Sequence, residues 1–259
     1  MSSFISATGG PLVGALPRGY TPRAPGADGA RIPCTRREGP TLPLRLRHFS
    51  DRPAEVAAIL LAAGRSRRMG AFKPLLPFGG RTVAEACVES LREGGAGEVV
   101  VVVGHRAEEL RERLGRYEFV RFASNEEAGS EMGASIARGV ERVSEKAGAI
   151  LVALVDQPAV PASVVRELIE ARGREGARVV VPVWEGRGGH PVLVGAELRG
   201  ELTRLDAGEG LRGLLRARGP EVLRLPVGSP YVRRDMDTWE DYVALHREVF
   251  GVGPEDARG

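Results

Sequence analysis

Five consecutive valines, Val99–Val103, constrain this chain more than any other feature. β-branched side chains lose rotamer freedom in a helix and fit a pleated strand. A strand with no polar alternation must be covered by apolar groups on both faces, as in a parallel sheet. Glu98–Val103 is read as such a strand, and Val56–Leu61 and Ala149–Val155 have the same character. Helical patterns fall between and after these runs: Thr82–Glu93 with Thr82 as N-cap, Arg106–Leu114, Ser130–Lys146, Ala162–Arg172, Gly208–Ala217 and Thr238–Phe250. Further strands are expected at Phe119–Ala123, Arg178–Val183, His190–Val194 and Val222–Val227. Strands alternating with helices imply a Rossmann-like α/β domain with a mostly parallel sheet. In such sheets ligands sit beyond the carboxyl ends of the strands. The stretch after Leu61 and the residue Asp156 both fall there.

Composition separates two regions. Residues 1–52 are rich in Gly, Pro and Arg and are expected to form a disordered or loosely packed extension, with the folded domain spanning 53–252. Seven arginines face only Asp28 and Glu38 in the first fifty residues, whereas the rest of the chain carries 30 basic and 32 acidic side chains. The folded part is therefore no nucleic-acid surface by charge. No run reaches the roughly 18 apolar residues of a membrane span, and no signal-peptide order opens the chain. A cytoplasmic protein with no membrane and no nucleic-acid partner is expected. The two cysteines, Cys34 and Cys87, offer no metal-thiolate spacing.

After Leu61 the chain turns small, glycine-rich and cationic: Ala62, Ala63, Gly64, Arg65, Ser66, Arg67, Arg68, Met69, Gly70, Ala71, Phe72, Lys73. Small residues let a backbone approach its ligand closely, and free N–H groups there bind anions. The loop lacks Gly-Lys-Ser/Thr, so it is no Walker A element, and Gly64–Lys73 holds no Gly-x-Gly-x-x-Gly. Lysine is rare in this chain, present only at 73 and 146, so Lys73 stands out against the arginine background.

From Leu61 to Pro77 the chain resembles L-A-A-G-x-S-x-R-M-G-x-x-K-x-L-L-P, the signature of the nucleotidyltransferases that attach a nucleotide to the molybdenum cofactor. Val155-Asp156-Gln157-Pro158 resembles that family's G-D-Q-P. Asp235-Met236-Asp237-Thr238-Trp239-Glu240-Asp241-Tyr242 resembles its D-I-D-T-P-E-D-Y, and Gly189-His190-Pro191-Val192-Leu193 its G-H-P-V-L. The resemblance implies the three-layer α/β/α nucleotidyltransferase fold with a mostly parallel mixed sheet. It implies a nucleotide site formed by Leu61, Ala62, Ala63, Gly64, Arg65, Ser66, Arg68, Lys73 and Ser135. Arg68 and Lys73 would clamp the triphosphate, while Asp156 and Asp237 would hold Mg2+, or Mn2+ in its place. Gly189 and His190 would face the acceptor.

The reaction implied is transfer of CMP from CTP to the phosphate of molybdopterin with release of pyrophosphate. A molybdenum hydroxylase would receive the product. Leu-Ala-Ala-Gly points to the cytidylyl rather than the guanylyl branch. Two alternatives stay open: the same chemistry with another nucleotide or phosphate acceptor, and a non-catalytic molybdopterin carrier. The chain departs from the family's N-P-x-W-x-x-G-M-x-x-S. Asn125, Met132 and Ser135 match, but Glu126, Ala128 and Glu131 replace proline, tryptophan and glycine. Gly208–Leu215 resembles the family's G-D-x-G-A-R-x-L-L only loosely.

Overall fold

The structure, a computed structural model, describes residues 55–64, 68–126, 131–206 and 208–254. The expected extension, together with Arg65, Ser66 and Ala128, lies outside them. Among the described residues ten strands run in chain order: β1 Val56–Leu61, β2 Pro77–Phe78, β3 Arg81–Thr82, β4 Glu98–Val103, β5 Val120–Ser124, β6 Ala149–Leu154, β7 Val179–Trp184, β8 Arg187–Gly188, β9 Val192–Gly195 and β10 Val222–Pro226. The helices are α1 Val83–Glu93, α2 Ala107–Leu114, α3 Met132–Val140, α4 Ala162–Glu175, α5 Arg199–Leu202, α6 Leu211–Ala217 and α7 Trp239–Phe250.

The main sheet has the order β10-β7-β9-β6-β1-β4-β5, with β8 paired to β7. β1 lies in its interior between β6 and β4, parallel to both, with Ile59 opposite Val100 and Val152. Side chains alternate between the two faces. Val99, Val101 and Val103 join one buried cluster with residues of α1, α2, α4 and α7, whereas Val100 and Val102 join a second with Ile136 and Val140 of α3 and with α5 and α6. The valine run therefore has apolar cover on both sides, and the layers are α/β/α. Each fully buried valine contributes about 1.5–2 kcal/mol by area, which fixes β4 beside β1.

Two strands break the parallel pattern: the two-residue β8, antiparallel to β7, and β9. β9 runs antiparallel to β6 and β7, with Val152 opposite Val192 and Ala149 opposite Gly195. In the parallel part, only residues that follow a strand reach the carboxyl edge of the sheet. An antiparallel strand brings the residues that precede it to that edge, and for β9 those are Gly189 and His190.

Several expected boundaries shift. The helix expected over Ser130–Lys146 is confined to Met132–Val140. Past its end, the Ser144 N–H donates to Glu98 Oε1 at 2.7 Å, and the Ser144 hydroxyl takes the Lys146 N–H at 3.2 Å. Those donors are diverted from a helical ladder, as side-chain turns commonly do. The helix expected from Gly208 starts at Leu211, after Gly210 at φ +53°. The strand expected from His190 starts at Val192. The β2–β3 hairpin, β8 and α5 have no strong sequence signal and were not expected.

Candidate active site

The loop after β1 is built by close approach. Ala62 N–H donates to Val102 O at 3.0 Å, so the chain stays pressed against β4 as the strand ends. Gly104, at the end of β4, makes this possible: a Cβ there would lie 2.8 Å from Asn125 O and 3.0 Å from Ala63 O. Three chain segments thus meet at one edge with no side chain between them. Ala62 is buried, Leu61 and Ala63 are half-buried and Gly64 is exposed, so the loop opens outward along its length. Nearby, buried Asn125 donates from Nδ2 to Ser135 Oγ at 2.8 Å, which ties α3 to the end of β5. Ser135 is therefore engaged within the protein beside the expected nucleotide site.

Arg68 and Lys73 converge on the acids. The short 3-10 helix 73–75 leaves Lys73 with only 10% of its side chain exposed. Its Nζ lies 2.9 Å from Asp237 Oδ1 and 3.9 Å from Asp156 Oδ2. Arg68 Nη1 lies 3.3 Å from Asp237 Oδ2 and is otherwise open to solvent. The four residues expected to be catalytic therefore meet in one cluster, although Asp156 and Asp237 are far apart in sequence.

Backbone hydrogen bonds explain the convergence. Met236 N–H donates to Asp156 O at 3.0 Å, and the Met236 side chain is fully buried. That anchor places Asp235 and Asp237 on either side of the end of β6. Thr238 then caps α7: its hydroxyl accepts from Asp241 N–H, while Asp241 Oδ2 takes the Thr238 N–H at 2.9 Å and the Asp237 N–H at 3.2 Å. Asp241 is thus occupied by the cap, as expected of a capping box.

Asp156 is the least satisfied member. Its Oδ1 is buried and has no hydrogen-bond partner among the described residues. Burial pushes its carboxyl up to about 6, with Lys73 opposing and Asp235 and Asp237 adding to the shift. A desolvated carboxylate with an orphaned oxygen and a second carboxylate at hand suits a hard divalent cation. Mg2+ typically takes one or two carboxylates, keeps several waters and binds phosphate oxygens. Among the described residues no three His, Cys, Asp or Glu side chains form a closed metal cage. Two carboxylates with open positions are the donor set that a substrate-bridging ion requires.

The residues expected on the acceptor side, Gly189 and His190, lie in the turn before β9. A Cβ on Gly189 would lie 2.2 Å from Val232 O, so only glycine fits against that backbone. His190 N–H donates to Val232 O at 2.8 Å, and His190 Nδ1 lies 3.3 Å from Val152 O. Burial holds the His190 imidazole below its usual value, so the ring is neutral near pH 7. His246, with no catalytic context in the sequence, packs between Phe78, Tyr242 and Phe250 and meets Val252 O at 2.8 Å.

One contact has no local sequence signal. Gln157 Nε2 donates to Asp235 Oδ1 at 2.5 Å, across a separation of 78 residues.

The chain belongs to the MobA-like NTP transferase family, whose model matches residues 58–222. It is a nucleotidyltransferase by fold and family. A protein of Paenarthrobacter nicotinovorans named nicotine blue oxidoreductase is 33% identical over 199 residues, covering 73% of this chain and 96% of that one. The bifunctional protein GlmU of Geobacter metallireducens is 33% identical over 129 residues, 49% of this chain but only 27% of its own length. Among solved structures, Rv0371c from Mycobacterium tuberculosis H37Rv superposes with a TM-score of 0.67 at 29% identity, covering 76% of this chain and all of that one. A structure of Rv0371c in complex with manganese gives 0.64 at 28% identity, with the same coverage.

Proposed function

We propose that this chain transfers CMP from CTP to the phosphate of molybdopterin, with Mg2+ held by Asp156 and Asp237. The observation that carries this reading is the convergence of Arg68, Lys73, Asp156 and Asp237 at the carboxyl edge of the sheet, beside the Ala62–Gly64 loop. Three carboxylates (Asp156, Asp235, Asp237) stand there against two cations. A bound divalent cation would turn that balance positive, which is what a polyphosphate requires. Held by Asp156 and Asp237, it would supply neutralisation of the phosphate charge.

The chain's own groups do the rest. Backbone N–H groups of the loop after β1 receive the nucleotide. An acceptor phosphate oxygen attacks the α-phosphorus in line. A P–O bond forms to the acceptor as the bond to the β-phosphate bridging oxygen breaks, and pyrophosphate leaves with that electron pair. Lys73 and Arg68 stabilise the charge on the departing group, where fixed cations act most strongly. No covalent enzyme intermediate is needed. Neutral His190 and the Gly189 turn line the acceptor side, and the matched Gly-His-Pro segment supports a pterin there. The Leu-Ala-Ala-Gly form supports cytidine. With purified protein, Mg2+ and molybdopterin, pyrophosphate should appear from CTP; consumption of GTP but not CTP would overturn the base assignment.

A second reading rests on the relative named an oxidoreductase, which is matched over nearly its whole length. One Gly-x-Gly-x-x-Gly run, residues 208–213, does open a helix, α6. It follows α5 and a turn rather than a strand, so it lacks the context of a dinucleotide fingerprint. Oxidation of NADH or NADPH coupled to dye reduction, with no pyrophosphate formed from any nucleotide, would favour that reading.

A further inference from the structure

The geometry points to Asp235 and Gln157 as a positioning pair that sets the spacing of the two metal-binding acids, with Asp235 itself not a metal ligand. The inference rests on the nucleotidyltransferase reading of Asp156 and Asp237.

Asp235 and Asp237 flank one buried residue, Met236, whose N–H donates to Asp156 O at 3.0 Å, so both are held beside Asp156. By charge alone either could bind the cation. Their partners differ. Asp237 faces Lys73 and Arg68, the groups of the phosphate side. Asp235 Oδ1 accepts from Gln157 Nε2 at 2.5 Å. Gln157 is buried and immediately follows Asp156. Its backbone is also fixed, with its N–H on Leu154 O at 3.3 Å and its carbonyl taking Val160 N–H at 3.4 Å.

An ionised carboxylate only accepts hydrogen bonds, so it forces the Gln157 amide to present its NH2. That leaves Gln157 Oε1 buried without a partner among the described residues. Gln157 lines a cavity with room for one water molecule, walled also by Cys87, Ser90, Ala153 and Pro191. The amide orientation is thus set by Asp235. Two links then join the segments that carry the acids: Gln157 to Asp235 through side chains, and Asp156 to Met236 through backbone. Together they hold Asp156 and Asp237 at a fixed separation, a role that outer groups play at many metal sites.

The test is Mn2+ binding to the full chain with CTP present, followed by electron paramagnetic resonance, alongside kcat and KM for CTP and thermal melts. Asp237→Asn should lose at least a hundredfold in Mn2+ affinity. Gln157→Ala and Asp235→Ala should each lose about 10–100-fold, and the double variant little more than either alone, because both cut one link. Asp235→Asn keeps an oxygen for Gln157 and should stay within about fivefold of wild type. If the alanine variants do not fold, Gln157→Glu sets two carboxylates face to face and should weaken binding. Adding Asp235→Asn to it restores the hydrogen bond with reversed polarity and should recover affinity. Loss in Asp235→Asn matching that in Asp237→Asn would make Asp235 a ligand and overturn the inference. So would unchanged Mn2+ affinity in Gln157→Ala with only a lower melting temperature. If wild type and Asp156→Asn bind Mn2+ equally, the site reading itself fails, and the inference with it.

Discussion

Glu85 and Asp156 are both carboxylates drawn in from water, Glu85 wholly and Asp156 with 29% of its side chain still exposed, and the protein treats them in opposite ways. Glu85 is fully buried at the start of α1, yet every lone pair has company. Its Oε2 takes the Thr82 N–H at 2.7 Å and the Thr82 hydroxyl at 2.9 Å; Arg113 and Arg116 reach it from α2 and the turn beyond at 2.9 and 2.6 Å. Burial alone would raise its carboxyl, but the Thr82 backbone and Arg113 outweigh that and hold it below the usual range. Asp156 has Lys73 at 3.9 Å and an orphaned oxygen, and its carboxyl rises to about 6. A satisfied buried carboxylate joins elements of the fold. An unsatisfied one at the carboxyl edge of the sheet fits the cation-binding role proposed for Asp156.

The contrast can be broken by substitution, beginning where the effect is largest. Asp156→Asn should reduce nucleotidyl transfer by about a hundredfold to a thousandfold, the scale for removing one electrostatic stabiliser of a transition state. Measured without divalent cation near pH 7, the same protein should melt no lower than wild type, because the amide removes a poorly compensated buried charge. Lys73→Met should also cut kcat strongly. It should leave the metal-free acid pair without its bridging ammonium, readable as a lower melting temperature at neutral pH.

Glu85→Gln should do the reverse of Asp156→Asn. Stability should fall by about 2–3 kcal/mol for the lost charge-assisted hydrogen bonds, with kcat within about twofold of wild type. The pH dependence has a definite sign. The Glu85 carboxyl is lowered in the folded state, so its contribution is fully present above the unfolded value of about 4.3 and is lost as pH falls through the lower folded value. Urea melts from pH 7 to pH 3 should show the gap between wild type and Glu85→Gln closing only below about pH 4.3. The smallest effect belongs to the cap of α7: Thr238→Ala should cost about 1 kcal/mol, with activity reduced only as far as Asp237 shifts.

The same contrast marks what could be read from sequence. The Thr82 part of the Glu85 cluster is local: Thr82 and Glu85 sit at capping-box spacing, and α1 ends at Glu93 as expected. β1 and β4 occupy their expected ranges because an uninterrupted apolar run leaves few other solutions. The expectation of a phosphate site in the loop after β1 came from Gly64, Arg68 and Lys73, which are close in sequence. The acid side is assembled from three distant segments, and its motifs could be named but not joined. Nothing in Gly189–Leu193 announces that β9 runs antiparallel, which is what carries His190 to the same edge as Asp156. Nothing near Gln157 announces Asp235. Ser130–Lys146 was overextended because helical periodicity continues through Val143, while the diversion at Ser144 depends on Glu98 from another strand. Arg65 and Ser66 lie outside the described residues, so their expected phosphate contacts rest on the motif alone.

The most direct measurement is pyrophosphate release from CTP with Mg2+ and molybdopterin, run in parallel on wild type, Asp156→Asn and Glu85→Gln. Wild type and Glu85→Gln should release pyrophosphate one-for-one with formation of a cytidylated pterin, and Asp156→Asn should be slower by at least a hundredfold. Equal rates in wild type and Asp156→Asn would contradict the assignment of the unsatisfied carboxylate to the chemistry.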